Sequence, residues 1–209
     1  MHIDFLVEER SAEEVLQAIL PAILGGKATH RILVFRGKQD LLKKLPTRLR
    51  GYRLRIKNNK EDLRIVVLVD QDCDDCRDLK DRLERIAKDF GFITKSATRQ
   101  GEAVRVVNRI AIEEIEAWFF GDIPALRKVY PKLPATMGNR AKYRNPDTVH
   151  RTWESLHREL QRAGYDMPTY PKIEVARRVA RCMDIGNNRS RSFNLFKRSV
   201  EWLIEANSS

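Results

Sequence analysis

The chain has 209 residues, 40 Lys and Arg against 29 Asp and Glu, and a formal net charge of +11. That length supports one respectable core with room for an appended helical part, and no apolar run approaches the roughly 20 residues that span a bilayer. Three cysteines make no disulfide framework, and Met1-His2-Ile3-Asp4 has no basic, then apolar, leader, so the expected compartment is the cytosol.

His2 to Val7 predicts a first strand, ending in Glu8-Glu9. Ser11 is placed to cap the helix that follows, where Val15, Leu16, Ile19, Leu20 and Ile23 keep helical spacing until Gly25-Gly26. Arg31 to Phe35 is a second strand. Residues 38–50 predict a helix interrupted at Pro46, which suits the first turn of a new helix better than a helix middle. Residues 36–60 carry ten basic residues against a single acid, Asp40, the densest basic stretch in the chain.

Ile65 to Val69 are five consecutive apolar residues, too short for a buried helix and right for a strand covered on both faces. The strand runs into Asp70-Gln71-Asp72-Cys73-Asp74-Asp75-Cys76. Four carboxylates within six residues repel one another and call for solvent or a counter-cation. A divalent ion at the carboxyl end of a central strand answers that need. An acidic N-terminus of the predicted helix 73–90, favoured by its dipole, is the other reading. Gly91 closes that helix. Val104 to Ile112 predicts a further strand, and Glu113-Glu114-Ile115-Glu116-Ala117-Trp118 opens a helix that sets Glu113 and Glu116 on one face.

From Asp122 the pattern is helical near 123–130, 147–163, 172–183 and 192–206, with a loop over 131–146. Alternating strands and helices predict an α/β fold with a mainly parallel sheet flanked by helices. Residues 1–122 form the expected core, and 123–209 a helical lobe packed on it. Residues 126–200 hold 17 Lys and Arg against 6 Asp and Glu. A basic lobe beside acidic strand ends suits a polyanion, above all nucleic acid.

Strand carboxyl ends share one edge of a parallel sheet, so Glu8 and Glu9, Asp70 and Asp72, and Glu113 and Glu116 are expected to converge. Asp70 and Asp72 point the same way if the extended backbone persists. A glutamate after the first strand with Asp-x-Asp after a later one resembles the TOPRIM nucleic-acid-processing domain. The blocks Leu6 to Glu13, Val69 to Cys76, Glu113 to Asp122 and Asn188 to Phe193 together resemble a TOPRIM-like family related to the nuclease part of overcoming-lysogenization-defect proteins. Its members are associated with AAA- or ABC-type ATPases in anti-phage abortive-infection systems of the AbiL type.

The resemblance implies a metal-dependent nuclease cutting DNA or structured RNA. Glu8, Asp70 and Asp72 would hold magnesium or manganese, and Glu13 with Glu113 or Glu116 a second ion. Two departures stand out: Glu9 occupies the place of the usual TOPRIM glycine, and the position four after Glu8 is Ala12. One-metal and two-metal chemistry both stay open. Lys172, after Tyr170-Pro171, is the candidate for further charge stabilisation. Arg36, Lys38, Lys43 and Lys44 with Arg140, Lys142, Arg144, Arg151, Arg189 and Arg191 are the expected phosphate contacts flanking the acidic edge. The competing class is a non-catalytic nucleic-acid-binding or regulatory subunit with the same fold.

Cys73-x-x-Cys76 has no second pair, and the neighbouring carboxylates would blunt thiol reactivity, so zinc and redox readings are not favoured. Trp118, Phe119 and Phe120 read as core rather than as a base-stacking platform. Ser192 reads as the cap of the last helix, with Arg189 and Arg191 beside its N-terminus. No Walker A sequence is present.

Overall fold

The computed structural model describes residues 1–98 and 103–205. Among these residues β1 (His2–Val7), β2 (Thr29–Val34), β3 (Leu63–Asp70) and β4 (Val106–Ala111) form one all-parallel sheet in the order β2-β1-β3-β4. The helices are α1 (Arg10–Leu24), α2 (Lys38–Asn59), α3 (Cys76–Asp89), α4 (Ala117–Phe120), α5 (Ile123–Val129), α6 (Ala141–Arg144), α7 (Thr152–Arg162), α8 (Lys172–Ala180) and α9 (Arg191–Glu205). The fold is the expected α/β arrangement. No helix among the described residues is long and apolar enough to cross a membrane.

Every residue of β3 is buried, which is why its apolar run is continuous rather than alternating. Strand alternation splits it between two clusters. Ile65, Val67 and Val69 face α2 and α3, where Leu41, Leu42, Leu45, Leu49, Leu79 and Leu83 are buried. Val66 and Leu68, with Phe5 and Val7 of β1, face the cluster built from α1, α8 and α9. Phe196 of α9 lies against both Phe5 and Trp118, with ring centroids 6.4 and 5.3 Å apart.

Several local expectations are corrected. α2 runs unbroken through Pro46. A proline costs about 3 kcal/mol in a helix interior, but four buried leucines lie on both sides of it at helical spacing, and each contributes about 1.5–3 kcal/mol by burial. The packed face therefore wins. Ser11 does not cap α1: Glu9 is the N-cap, and the Ser11 hydroxyl donates to Glu9 Oε1. In α9 the cap is Ser190, whose Oγ accepts from the Phe193 amide at 3.1 Å, while the Ser192 amide donates to Asp147 Oδ2 at 2.8 Å.

The 131–146 segment is not only loop, since it contains a 3-10 turn at Ala135–Asn139 and α6. The predicted helix 147–163 begins only at Thr152. The last helix ends at Glu205, residue 206 of the prediction lying outside the described residues. Trp118, Phe119 and Phe120 are fully buried, as the core reading expects.

Candidate functional site

In a parallel sheet every strand delivers its following residues to one edge. β1 delivers Glu8 and Glu9, β3 delivers Asp70 and the turn after it, and β4 delivers the segment 112–116. Glu8 is buried there, and its Oε1 accepts a short hydrogen bond from the Asp70 amide. Its carboxyl is pushed up to about 7, chiefly by burial and by the charge of Asp72, against the pull of that amide and of Lys38. Asp70 is 5% exposed. Burial, then Glu8 and Glu116, lift its carboxyl well above the usual range.

Glu116 is the most deeply placed of the set, at 0% exposure. Neither of its carboxylate oxygens has a hydrogen-bond partner. Burial pushes its carboxyl up to about 8, opposed mainly by Lys172, whose Nζ stands 3.8 Å from Oε1. The same Nζ pairs with Glu9 Oε1 at 2.5 Å. Burial works against the Lys172 charge, but Glu116 and Glu9 hold the ammonium firmly protonated. Tyr170, two residues earlier, has its phenol lifted by burial and by Glu116, and its hydroxyl also lacks a partner.

Asp72 does not continue the register of Asp70. Its φ of 52° is left-handed, and its amide donates to the carbonyl of Glu113, itself left-handed at φ 60°. Each such residue costs about 1–2 kcal/mol, and strain of this kind gathers where structure serves a site. The turn directs Asp72 to Lys38, whose Nζ lies 2.8 Å from Asp72 Oδ2, 2.7 Å from Asp74 Oδ2 and 2.9 Å from the Gln71 carbonyl. Glu113 and Glu116 do not share a helix face: α4 begins only at Ala117, and Glu113 turns to His150 at 2.8 Å. Glu13 sits half-buried in the first turn of α1 and enters none of these contacts.

The structure thus gathers Glu8, Asp70, Glu116, Glu9 and Lys172, and holds Asp72 beside them through Lys38. Among the described residues no three His, Cys, Asp or Glu side chains stand in ready metal-holding geometry. The ammonium groups of Lys38 and Lys172 supply the positive charge at this edge. Cys73 and Cys76 are free thiols, and burial raises Cys76.

Lys38 differs from its reading as a phosphate contact, being 8% exposed and committed to two aspartates. It lies three and four residues before Leu41 and Leu42, on the apolar stripe of α2, and that spacing was the available signal. Among the other cations, Arg140 is paired with Glu159 at 2.7 Å and Arg151 with Glu154 at 2.8 Å. Lys44 pairs with Asp40 at 2.7 Å. Lys142 donates to Ser155 Oγ, and Arg189 to the carbonyls of Gly138 and Phe120. Arg36, Lys43, Arg144 and Arg191 are exposed.

A family model described as a domain of unknown function (DUF4276) matches residues 7–204. The chain belongs to this family. The matched span runs from the end of β1 to α9 and so includes every carboxylate of the acidic edge. No curated protein and no solved structure matches the chain.

Proposed function

We propose that the chain is a divalent-metal-dependent phosphodiesterase acting on nucleic acid, either DNA or structured RNA. The observation that carries this reading is Glu116, fully buried, hydrogen-bonded at neither oxygen, faced by the Lys172 ammonium at 3.8 Å, and within electrostatic reach of Asp70. A buried carboxylate without a partner is costly unless it is neutralised. Hard oxygen donors fit magnesium or manganese; Glu8, Asp70 and Glu116, which do not stand in ready coordination geometry, would have to draw together to hold the ion. Such an ion polarises a phosphoryl oxygen and lowers the pKa of a bound water.

The chain's own groups supply the rest. Lys172, held charged by Glu9 and Glu116, is positioned to neutralise charge growing on the phosphoryl oxygens. Lys38 fixes Asp72 and Asp74 and limits repulsion across the edge. Glu113 is committed to His150, so the reading rests on one ion. The TOPRIM-like resemblance adds the setting, an effector of an anti-phage system working with an ATPase. One feature favours a second reading: Lys38 and Lys172 already act as built-in counter-ions, as a non-catalytic nucleic-acid-binding subunit would require.

Cleavage of DNA and RNA in magnesium or manganese, with and without an ATPase partner, tests the choice. Asp70→Asn and Glu116→Gln are expected to abolish cleavage while leaving the circular dichroism spectrum unchanged. Full cleavage by the double variant refutes the site. Binding without cleavage by the wild type under every condition selects the second reading.

A further inference from the structure

α2 is 22 residues long, which is about 33 Å, close to one turn of a nucleic-acid duplex, about 34–36 Å. It contains eight Lys and Arg against the single acid Asp40. Its buried side carries the leucines and Lys38. Its outer side presents two adjacent rows at alternating three- and four-residue spacing, Lys43-Thr47-Arg50-Leu54-Lys57 and Lys44-Arg48-Gly51-Arg55, nearly all exposed.

Among the described residues Lys43, Arg48, Arg50 and Lys57 enter no ion pair, whereas in the second half of the chain Arg140, Arg151, Arg162 and Arg177 are each matched to a glutamate. Unpaired cations occur in the lobe too, where Arg144, Arg158, Arg181 and Arg198 enter no ion pair among the described residues, but those of α2 line one face of a single helix whose one acid is Asp40. Gly51 lies midway along the stripe. A Cβ there would meet nothing within 4 Å, so no internal contact requires glycine, although glycine in a helix costs roughly 0.5–1 kcal/mol against alanine. The result is a shallow gap between Arg48 and Arg55. The stripe offers one large apolar residue, Leu54, and lacks the aromatic and apolar anchors on which protein interfaces depend.

We propose that the outer face of α2 is the track on which the sugar–phosphate backbone of a duplex lies, with Gly51 as the point of closest approach. The inference rests on the nucleic-acid reading above and adds the route. α2 starts at the acidic edge, where Lys38 in its first turn holds Asp72, so a backbone following the stripe is led to Glu8 and Asp70. Contacts of this kind go to phosphates and carry no base specificity.

The test is fluorescence anisotropy of labelled DNA and RNA duplexes in EDTA, which separates binding from cleavage, across a range of salt. The triple variant Arg48→Gln, Arg50→Gln, Lys57→Gln is compared with Arg162→Gln, Arg178→Gln, Arg181→Gln, which removes the same charge from the lobe. The α2 triple is expected to weaken binding about tenfold or more and to reduce the log–log salt slope by about 2–3 units, at about 0.9 per lost phosphate contact. The lobe triple should change the slope by less than about one unit. Gly51→Glu, which has room for its side chain, should weaken binding with a melting temperature equal to or above that of the wild type.

Wild-type affinity in both the α2 triple and Gly51→Glu overturns the proposal. Absence of duplex binding by the wild type at low salt also overturns it and assigns the stripe to an acidic protein. Binding through α2 with no cleavage in any metal removes the nuclease reading and leaves the track standing. Cleavage that persists in α2 variants of unaltered affinity does the reverse.

Discussion

Asp4 and Glu116 are both carboxylates at 0% exposure beside the same sheet, yet their surroundings differ in kind. Asp4, in the middle of β1, stands directly across from Arg31 of β2. It accepts from Arg31 Nε at 3.1 Å and Nη2 at 2.6 Å, and lies 3.0 Å from His2 Nε2. Burial alone would raise its carboxyl, but the Arg31 fork holds it below the usual value. Glu116 accepts no hydrogen bond and is pushed up to about 8. The fold thus gives one buried acid three close donors and the other none within hydrogen-bond distance. Glu116 has only the Lys172 ammonium, 3.8 Å from its Oε1, and the contrast is open to attack at both ends.

The largest effect is expected at Glu116. Its folded pKa lies above its unfolded one, so the stability it contributes is present below pH 4.5 and is lost as pH rises through about 8. At about 1.4 kcal/mol per unit, ionising it in the fold costs several kcal/mol. Urea unfolding of Glu116→Gln should therefore match the wild type near pH 5 and exceed it near pH 8. Excess magnesium should raise the wild type at pH 8 and leave the variant unmoved. Equal pH slopes in the two proteins would remove the contrast.

Arg31→Met attacks the satisfied acid. It strips Asp4 of its main partner and should destabilise the fold by about 2–3 kcal/mol at pH 7, less than a wholly buried pair because Arg31 is half exposed. The loss should shrink at low pH, where Asp4 becomes neutral. Glu8→Gln is a milder change on the bare side. It keeps an acceptor for the Asp70 amide and removes a charge whose pKa is raised to about 7. A smaller gain in urea midpoint than at Glu116 is expected, confined to pH above 5. His2→Ala should cost under about 1 kcal/mol, since Arg31 continues to hold Asp4.

Much of this was readable from residue order. The buried run of β3, the alternation of strands and helices, and the meeting of Glu8 with Asp70 follow from hydrophobic pattern and from parallel strands sharing an edge. What escaped depends on contacts between distant residues. Asp72 and Glu113 leave the extended and helical regions where their turns meet: the Asp72 amide donates to the Glu113 carbonyl, 41 positions away in sequence, and the Glu113 amide to the Gln71 side chain. Lys38 sits in a run of cations that look alike in one dimension, and only its register with Leu41 and Leu42 separates it from Lys43. The cap of α9 is shared between Ser190 and Asp147, whose carboxylate comes from a turn more than 40 residues earlier.

The packing of α9 against α1 and β4 has a consequence for synthesis. Phe5 is synthesised 191 residues before Phe196, its ring partner. Until α9 emerges, Trp118 lacks both Phe193 and Phe196, and the apolar face around Phe5 has no lid. Nascent chains of this protein should therefore present a client surface to chaperones until α9 emerges. They should also remain sensitive to protease until α9 has cleared the exit tunnel.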